Sequence, residues 1–224
     1  MIKKILIFLV CLLLTGCSSP IRSDNLNNIP AKYNIDGVSI EDSSVNTQNV
    51  DNYLFRDDVI YVDLRPYAEV IKEGHIAGFS FYPFYDFIAN KEGTKDSEGN
   101  PIDNRLFKMK NEKGMLGQIG NYVPNYKESE FVLNDLFPKD KYIFAITISC
   151  NESIYFFNLL IQYGYDASLL YNIGGFSIST GLENKAYVQL ENPKHLVKGN
   201  PFIPAVGNNV SFDFFEKLTP IVND

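Results

Sequence analysis

Tyr142-Ile143-Phe144-Ala145-Ile146-Thr147-Ile148-Ser149-Cys150-Asn151-Glu152-Ser153-Ile154-Tyr155-Phe156-Phe157 is the stretch on which the fold turns. Residues 142–148 are a short apolar run of β-formers, as expected of a strand buried on both faces. From Asn151 to Tyr163 the spacing changes to a helical one, which puts Ile154, Phe157, Leu160 and Ile161 on one face, and Gly164 ends it. Outward from this strand–Cys150–helix unit, the same alternation recurs. Val59–Val62 reads as a second buried strand, and Pro66 and Gly74 bracket a helix over Tyr67–Glu73. Phe79–Phe84 reads as a strand, Glu130–Leu136 as a short helix stopped by Pro138, and Ser168–Tyr171 as a further strand ahead of Ile173-Gly174-Gly175-Phe176. Strands alternating with helices predict a single α/β domain with a mainly parallel central sheet and helices on both faces.

The flanks carry different signals. Met1-Ile2-Lys3-Lys4 is a basic start, Ile5–Leu14 is apolar, and Leu14-Thr15-Gly16-Cys17 closes the segment with small residues. Residues 1–16 therefore read as a secretory signal. Their ending resembles a bacterial lipobox, which implies cleavage before Cys17 and lipid on that cysteine, holding the protein at the extracytoplasmic face of a bacterial membrane. The whole chain carries −7, and loss of Lys3 and Lys4 with the signal makes this −9. Such a charge does not favour anionic headgroups, so the acyl chains must supply the attachment. With only four arginines, Arg22, Arg56, Arg65 and Arg105, the chain also lacks the basic footprint of a nucleic-acid binder.

Residues 17–52 are rich in Ser, Asn and Asp without apolar period, and read as a flexible tether. Residues 53–178 hold the domain, interrupted at about 89–128 by a polar, glycine-punctuated insertion of a length that is usually functional or mobile. Asp96-Ser97-Glu98-Gly99-Asn100 within it lacks the ligand spacing of a calcium loop and reads as a solvated turn. Residues 179–224 read as a C-terminal extension packed on the domain, with a last helix over Phe212–Leu218 and an exposed His195. No metal or organic cofactor is implied.

Of the three cysteines, Cys11 leaves with the signal and Cys17 takes lipid, so Cys150 is the one free thiol of the mature chain. It follows a buried strand and precedes a helix. In an open parallel sheet, ligands sit beyond the carboxyl ends of the strands, where helix N-termini present free N–H groups. A thiol there is drawn towards thiolate by the helix dipole and converging amides. Position alone leaves the bland alternative open, since cysteine is often a small buried hydrophobe.

Four fragments in order then resemble the rhodanese family over about residues 53–178: Asp63-Leu64-Arg65, Gly74-His75-Ile76-Ala77-Gly78, the strand–Cys150–helix unit, and Gly174-Gly175-Phe176. The resemblance implies that Cys150 takes sulfane sulfur from a small donor as a persulfide and passes it to a thiol acceptor. It implies that the loop Asn151, Glu152, Ser153, Ile154 and Tyr155 cradles that sulfur with backbone N–H groups. Asp63, Arg65, Gly74, His75, Gly78, Gly174 and Gly175 match the scaffold motif. Arg65 and Glu69 also stand at i, i+4, the spacing of a solvated pair on a helix.

Tyr155 stands where active members commonly place a loop-closing Arg, and Ser153 where Gly is frequent. Residues 151–155 contain no cation, and Glu152 adds a negative charge. Phe156 stands where related phosphatases need an Arg, which disfavours phosphatase or arsenate-reductase chemistry. Two functions follow: a membrane-anchored sulfurtransferase using Cys150, or a catalytically silent rhodanese-like binding module whose pocket or insertion takes a protein partner. A solute-binding lipoprotein ranks last, because one domain of this size has no room for two lobes.

Overall fold

The computed structural model describes residues 27–84, 87, 106–110, 121–148, 151–176, 190, 192–198 and 218–221. Both Cys17 and Cys150, the signal segment 1–16, the 96–100 turn and nearly all of the expected helix 212–218 lie outside the described residues.

In chain order the elements are β1 (Val59–Asp63), α1 (Tyr67–Glu73), β2 (His75–Ile76), β3 (Ser80–Phe81), β4 (Phe107–Lys110), β5 (Asn121–Pro124), α2 (Ser129–Leu136), β6 (Tyr142–Thr147), α3 (Asn151–Gln162), β7 (Leu170–Gly175) and β8 (Leu196–Val197). Four strands form one parallel sheet in the order β3-β1-β6-β7. The protein is thus α/β with a parallel central sheet. β6 is central, as its unbroken apolar run requires, and pairs from Tyr142 to Ile146 with Val59 to Asp63 of β1. Opposite β7 the register slips between Ala145 and Ile146, where Gly174 adopts φ 116 and leaves Ile173 as the extra residue. Only glycine takes that conformation without strain, so the Gly174-Gly175 pair is where the strand bends.

Alternation along the strands splits the core in two. Val62, Ile143, Ala145 and Leu170 face α2 and α3, and pack against Val132, Leu133, Phe137, Phe156, Phe157, Leu159 and Leu160. Tyr61, Phe144, Ile146, Tyr171 and Ile173 face the other way. Among the described residues that second face is covered by Val45, Val50 and Leu54, from a loop and the 3-10 turn Val50–Tyr53.

The expected tether over 17–52 is therefore corrected from residue 27 onward. Val45, Thr47 and Val50 are fully buried, and the Thr47 N–H donates to the Ile173 carbonyl at 2.9 Å, so this segment lies directly on β7. The Lys32 ammonium donates to the carbonyls of Gly37 and Ala167, the latter at 2.9 Å, and burial holds its pKa below the usual lysine value. Polar composition concealed this packing because the segment is fixed by a few anchors and hydrogen bonds rather than by a periodic face.

Three further differences bear on the site. The buried face of α3 carries Ser153, Phe156, Phe157, Leu159 and Leu160, while Ile161 is exposed, so the helix is turned from the face its apolar spacing predicts. Phe79–Phe84 is strand only at Ser80–Phe81, and the last sheet strand starts at Leu170 rather than Ser168. Within the insertion, β4 and β5 form an antiparallel ribbon. β5 is pinned to α3 by the Gln162 side chain, which accepts the Tyr122 N–H at 2.7 Å and donates to the Tyr122 carbonyl at 2.5 Å, as a neighbouring strand would. The described pieces of the C-terminal extension are also docked: β8 pairs with β2, and the Glu128 carboxylate accepts both the N–H and the hydroxyl of Thr219 at 2.8 Å.

Candidate functional site

The carboxyl ends of β1, β6 and β7 are fastened together. The Leu64 N–H donates to the Ile146 carbonyl at 2.9 Å, and the Phe176 N–H donates to the Thr147 carbonyl at 2.7 Å. Beside this rim, Asp63 and Arg65 have side chains with 0% exposure. Arg65 Nε donates to Asp63 Oδ1 at 2.9 Å and Nη2 to Oδ2 at 2.7 Å, a two-pronged pairing that matches the fork of the guanidinium to the carboxylate. Nη2 also donates to the Gly74 carbonyl at 2.7 Å, and the guanidinium carbon lies 3.6 Å from the Phe176 ring centroid. One guanidinium thereby joins three of the sequence fragments, Asp63-Leu64-Arg65, Gly74-His75 and Gly174-Gly175-Phe176. Arg65 does not pair with Glu69 as its i, i+4 spacing predicts. Its long-range contact is to Glu73 at 3.9 Å, and Glu69 meets Lys72 at 3.7 Å. The reason is that Arg65 precedes α1 and turns inward.

Pro66 and Gly74 cap α1 as expected, and Gly74 at φ 88, ψ −172 occupies backbone space closed to side chains. His75 follows, half-buried, with its ring edge-on to Phe81 at 5.0 Å. Burial, with a smaller push from Arg65 against an opposing pull from Asp63, lowers its pKa below the ordinary 6.5. Gly78 sits in the turn from β2 to β3, against the Phe55 ring. His195 is only partly exposed, contrary to expectation: its Nδ1 stands 3.7 Å from the nearly buried Asp51 carboxylate.

On the other side of the rim, β6 ends at Thr147 and α3 begins at Asn151, with Cys150 next to Asn151 in sequence. The loop residues expected to act are thus the first turn of a helix of 12 residues. Glu152 is partly exposed in that turn, where an acidic group faces the positive end of the helix. Ile154 is half-buried. Tyr155 stacks its ring on Phe84 with centroids 6.3 Å apart, and its carbonyl accepts the Tyr122 hydroxyl at 3.1 Å. Phe156 is buried among Phe87, Phe137 and Phe157. Ser153 has no exposure, and its Oγ has no hydrogen-bond partner. The sequence places Ser153 in the loop but cannot show that its hydroxyl is inward and unpaired.

Among the described residues, no three His, Cys, Asp or Glu side chains gather as a metal site would require, and no helix is long and apolar enough to cross a membrane. No family model, curated protein or solved structure matches the chain.

Proposed function

We propose that this chain is a lipid-anchored, extracytoplasmic sulfurtransferase of rhodanese type, with Cys17 carrying the lipid and Cys150 the transferred sulfur. The observation that carries the reading is the position of α3: its N-terminus opens at the carboxyl end of the central strand β6, with Cys150 as the preceding residue. First-turn N–H groups are free of intrahelical partners and point along the axis, which favours thiolate over thiol and holds an anionic sulfur. The buried Asp63–Arg65 pair beside the same strand ends supports it further, because it ties the other matched fragments to one place.

The chemistry balances without a cofactor. The Cys150 thiolate attacks the outer sulfur of thiosulfate, a new S–S bond forms, and the donor's S–S bond breaks with its electron pair leaving on sulfite. An acceptor thiolate then attacks the outer persulfide sulfur, takes it, and returns the electron pair to Cys150. Asn151, Glu152 and Ser153 supply the N–H groups of the cradle, whereas those of Ile154 and Tyr155, expected to join them, fall inside the hydrogen-bond ladder of α3; Asp63, Arg65, Gly74, His75, Gly78, Gly174 and Gly175 hold the strand ends that position it.

One observation favours the second reading, a silent binding module with a protein partner: residues 151–155 offer no cation to an anionic donor, and Glu152 opposes it. Sulfite release from thiosulfate with a dithiol acceptor separates the two. The transferase reading expects release by the wild type and none by Cys150→Ser. Equal release from both proteins, or none from a folded wild type, gives the site to binding.

A further inference from the structure

The loop over residues 32–37 has its polarity inverted. Lys32 is buried at 7% exposure, whereas Tyr33 and Ile35 stand 77% and 57% exposed. Lysine is among the residues least often buried, and isoleucine among the most. The arrangement is firmly held. The Lys32 ammonium donates to the carbonyls of Ile35 at 3.4 Å, Ala167 at 2.9 Å and Gly37, and the Tyr33 N–H donates to the Asp42 carbonyl at 2.9 Å. Two apolar side chains are thus presented to solvent over a desolvated ammonium. Their place follows from the sheet. Ala167 lies in the turn that leads into β7. Asn27 lies at the starts of β1 and β6: its carbonyl accepts Arg56 Nη1 at 2.6 Å, Arg56 pairs with Asp58, and the Asp58 carbonyl accepts the Tyr142 N–H at 3.0 Å. Because β1, β6 and β7 are parallel, their starts lie at one end of the sheet. Tyr33, Ile35 and the point from which the chain runs back towards Cys17 therefore share the end opposite the carboxyl-end rim.

We propose that Tyr33 and Ile35 dock on the membrane surface, setting the amino ends of β1, β6 and β7 towards the bilayer and the carboxyl-end rim away from it. This docking rests on the lipid at Cys17. Ten residues separate Cys17 from Asn27, which holds the acyl chains within about 36 Å of this end of the sheet. A tyrosine suits the headgroup level, with an apolar ring and a polar tip, and the isoleucine beside it adds apolar surface to remove from water. The headgroups it fits are neutral overall, since Asp36, Glu41 and Asp42 stand in or next to the same loop. The six residues of β6 span roughly 17 Å at about 3.3 Å per step, so the rim stands off from the docked end by that length and is reached from water.

The chain contains no tryptophan, so Tyr33→Trp, Ile35→Trp and Phe131→Trp each give a single emitter at an exposed position. Phe131 lies in the first turn of α2, at the end of that helix away from the start of β6, and serves as the reference. The test is tryptophan fluorescence of the full chain, expressed with its signal and reconstituted in phosphatidylcholine vesicles with plain or brominated acyl chains. Emission from Tyr33→Trp and Ile35→Trp should shift to the blue and fall about twofold or more on bromination, because a docked side chain reaches the headgroup–acyl boundary, while Phe131→Trp stays unchanged. Equal quenching at all three positions, or none at 33 and 35 in a chain that cosediments with the vesicles, overturns the docking and leaves the anchor standing. A chain that does not cosediment overturns both. A blue shift at 33 and 35 without bromine quenching gives the patch to a second copy of the chain and overturns the docking too. Sulfite release from thiosulfate needs no membrane, so sulfur transfer stands or falls separately.

Discussion

Replacing Asp63 with alanine removes the one carboxylate that, among the described residues, pairs at close range with the Arg65 guanidinium, which has 0% exposure. Arg65 would keep its bond to the Gly74 carbonyl and the ring of Phe176, while Glu73 at 3.9 Å and 24% exposure is too distant and too wet to replace Asp63. Breaking a buried pair from one side typically costs about 3–5 kcal/mol, since a desolvated charge is left behind. For a chain of this size each kcal/mol moves the melting temperature by about 2–4 °C, so Asp63→Ala should melt on the order of 10 °C lower. Urea unfolding followed by far-ultraviolet circular dichroism would read the loss. A second protein, Asp63→Leu with Arg65→Met, removes both charges and strands the Gly74 carbonyl together with the residue-65 N–H, which donates to Asp63 Oδ1 at 3.1 Å and which Asp63→Ala strands too; each such group costs about 1–3 kcal/mol, without an uncompensated charge. The double variant should therefore be more stable than Asp63→Ala alone. A loss below about 1 kcal/mol for Asp63→Ala, or a double variant worse than the single, would refute the claim that this pair braces the strand ends.

Two other perturbations follow from the geometry. Gln162→Ala removes its two hydrogen bonds to the Tyr122 backbone, leaving the carbonyl to the Tyr163 hydroxyl at 3.0 Å and the N–H without its Gln162 acceptor, and should speed amide exchange over residues 121–123, with about 1–3 kcal/mol of stability lost; unaltered exchange there would mean that the ribbon docks by its apolar side chains. For His75, burial lowers the folded pKa below the unfolded 6.5, so the unfolded chain binds the proton first. The stability that His75 contributes is complete above that value and falls as pH drops below it towards the folded pKa. Titration of the ring by NMR should give a midpoint under 6.5, and a midpoint at or above it contradicts the burial argument.

Legibility tracked how locally each feature is encoded. β1 and β6 are read correctly because strands buried on both faces must be continuously apolar, and α1 because Pro66 and Gly74 mark its ends with backbone constraints that no tertiary context overrides. The segment from residue 27 to 52 was not legible, since Val45 and Val50 are isolated anchors in a polar stretch and their burial depends on Tyr171 and Ile173, far along the chain. Rotation of α3 was hidden because Ile154 and Ile161 satisfy the same apolar period as the buried face, and only the neighbouring strands choose between them. The ribbon β4–β5 was masked by the glycine-rich residues around it. At the site, Asp63, Arg65, Gly74 and Gly174 could be singled out by their order, but the convergence of three fragments on one guanidinium is a property of the fold.

The most direct measurement is intact-protein mass spectrometry after incubation with thiosulfate or polysulfide, with Cys150→Ser as control. Sulfur transfer predicts the gain of one sulfur atom on the wild type, mapped to Cys150, reversed by added thiol and missing from the control. A folded wild type that gains no sulfur from either donor, or a control that gains as much, would contradict it.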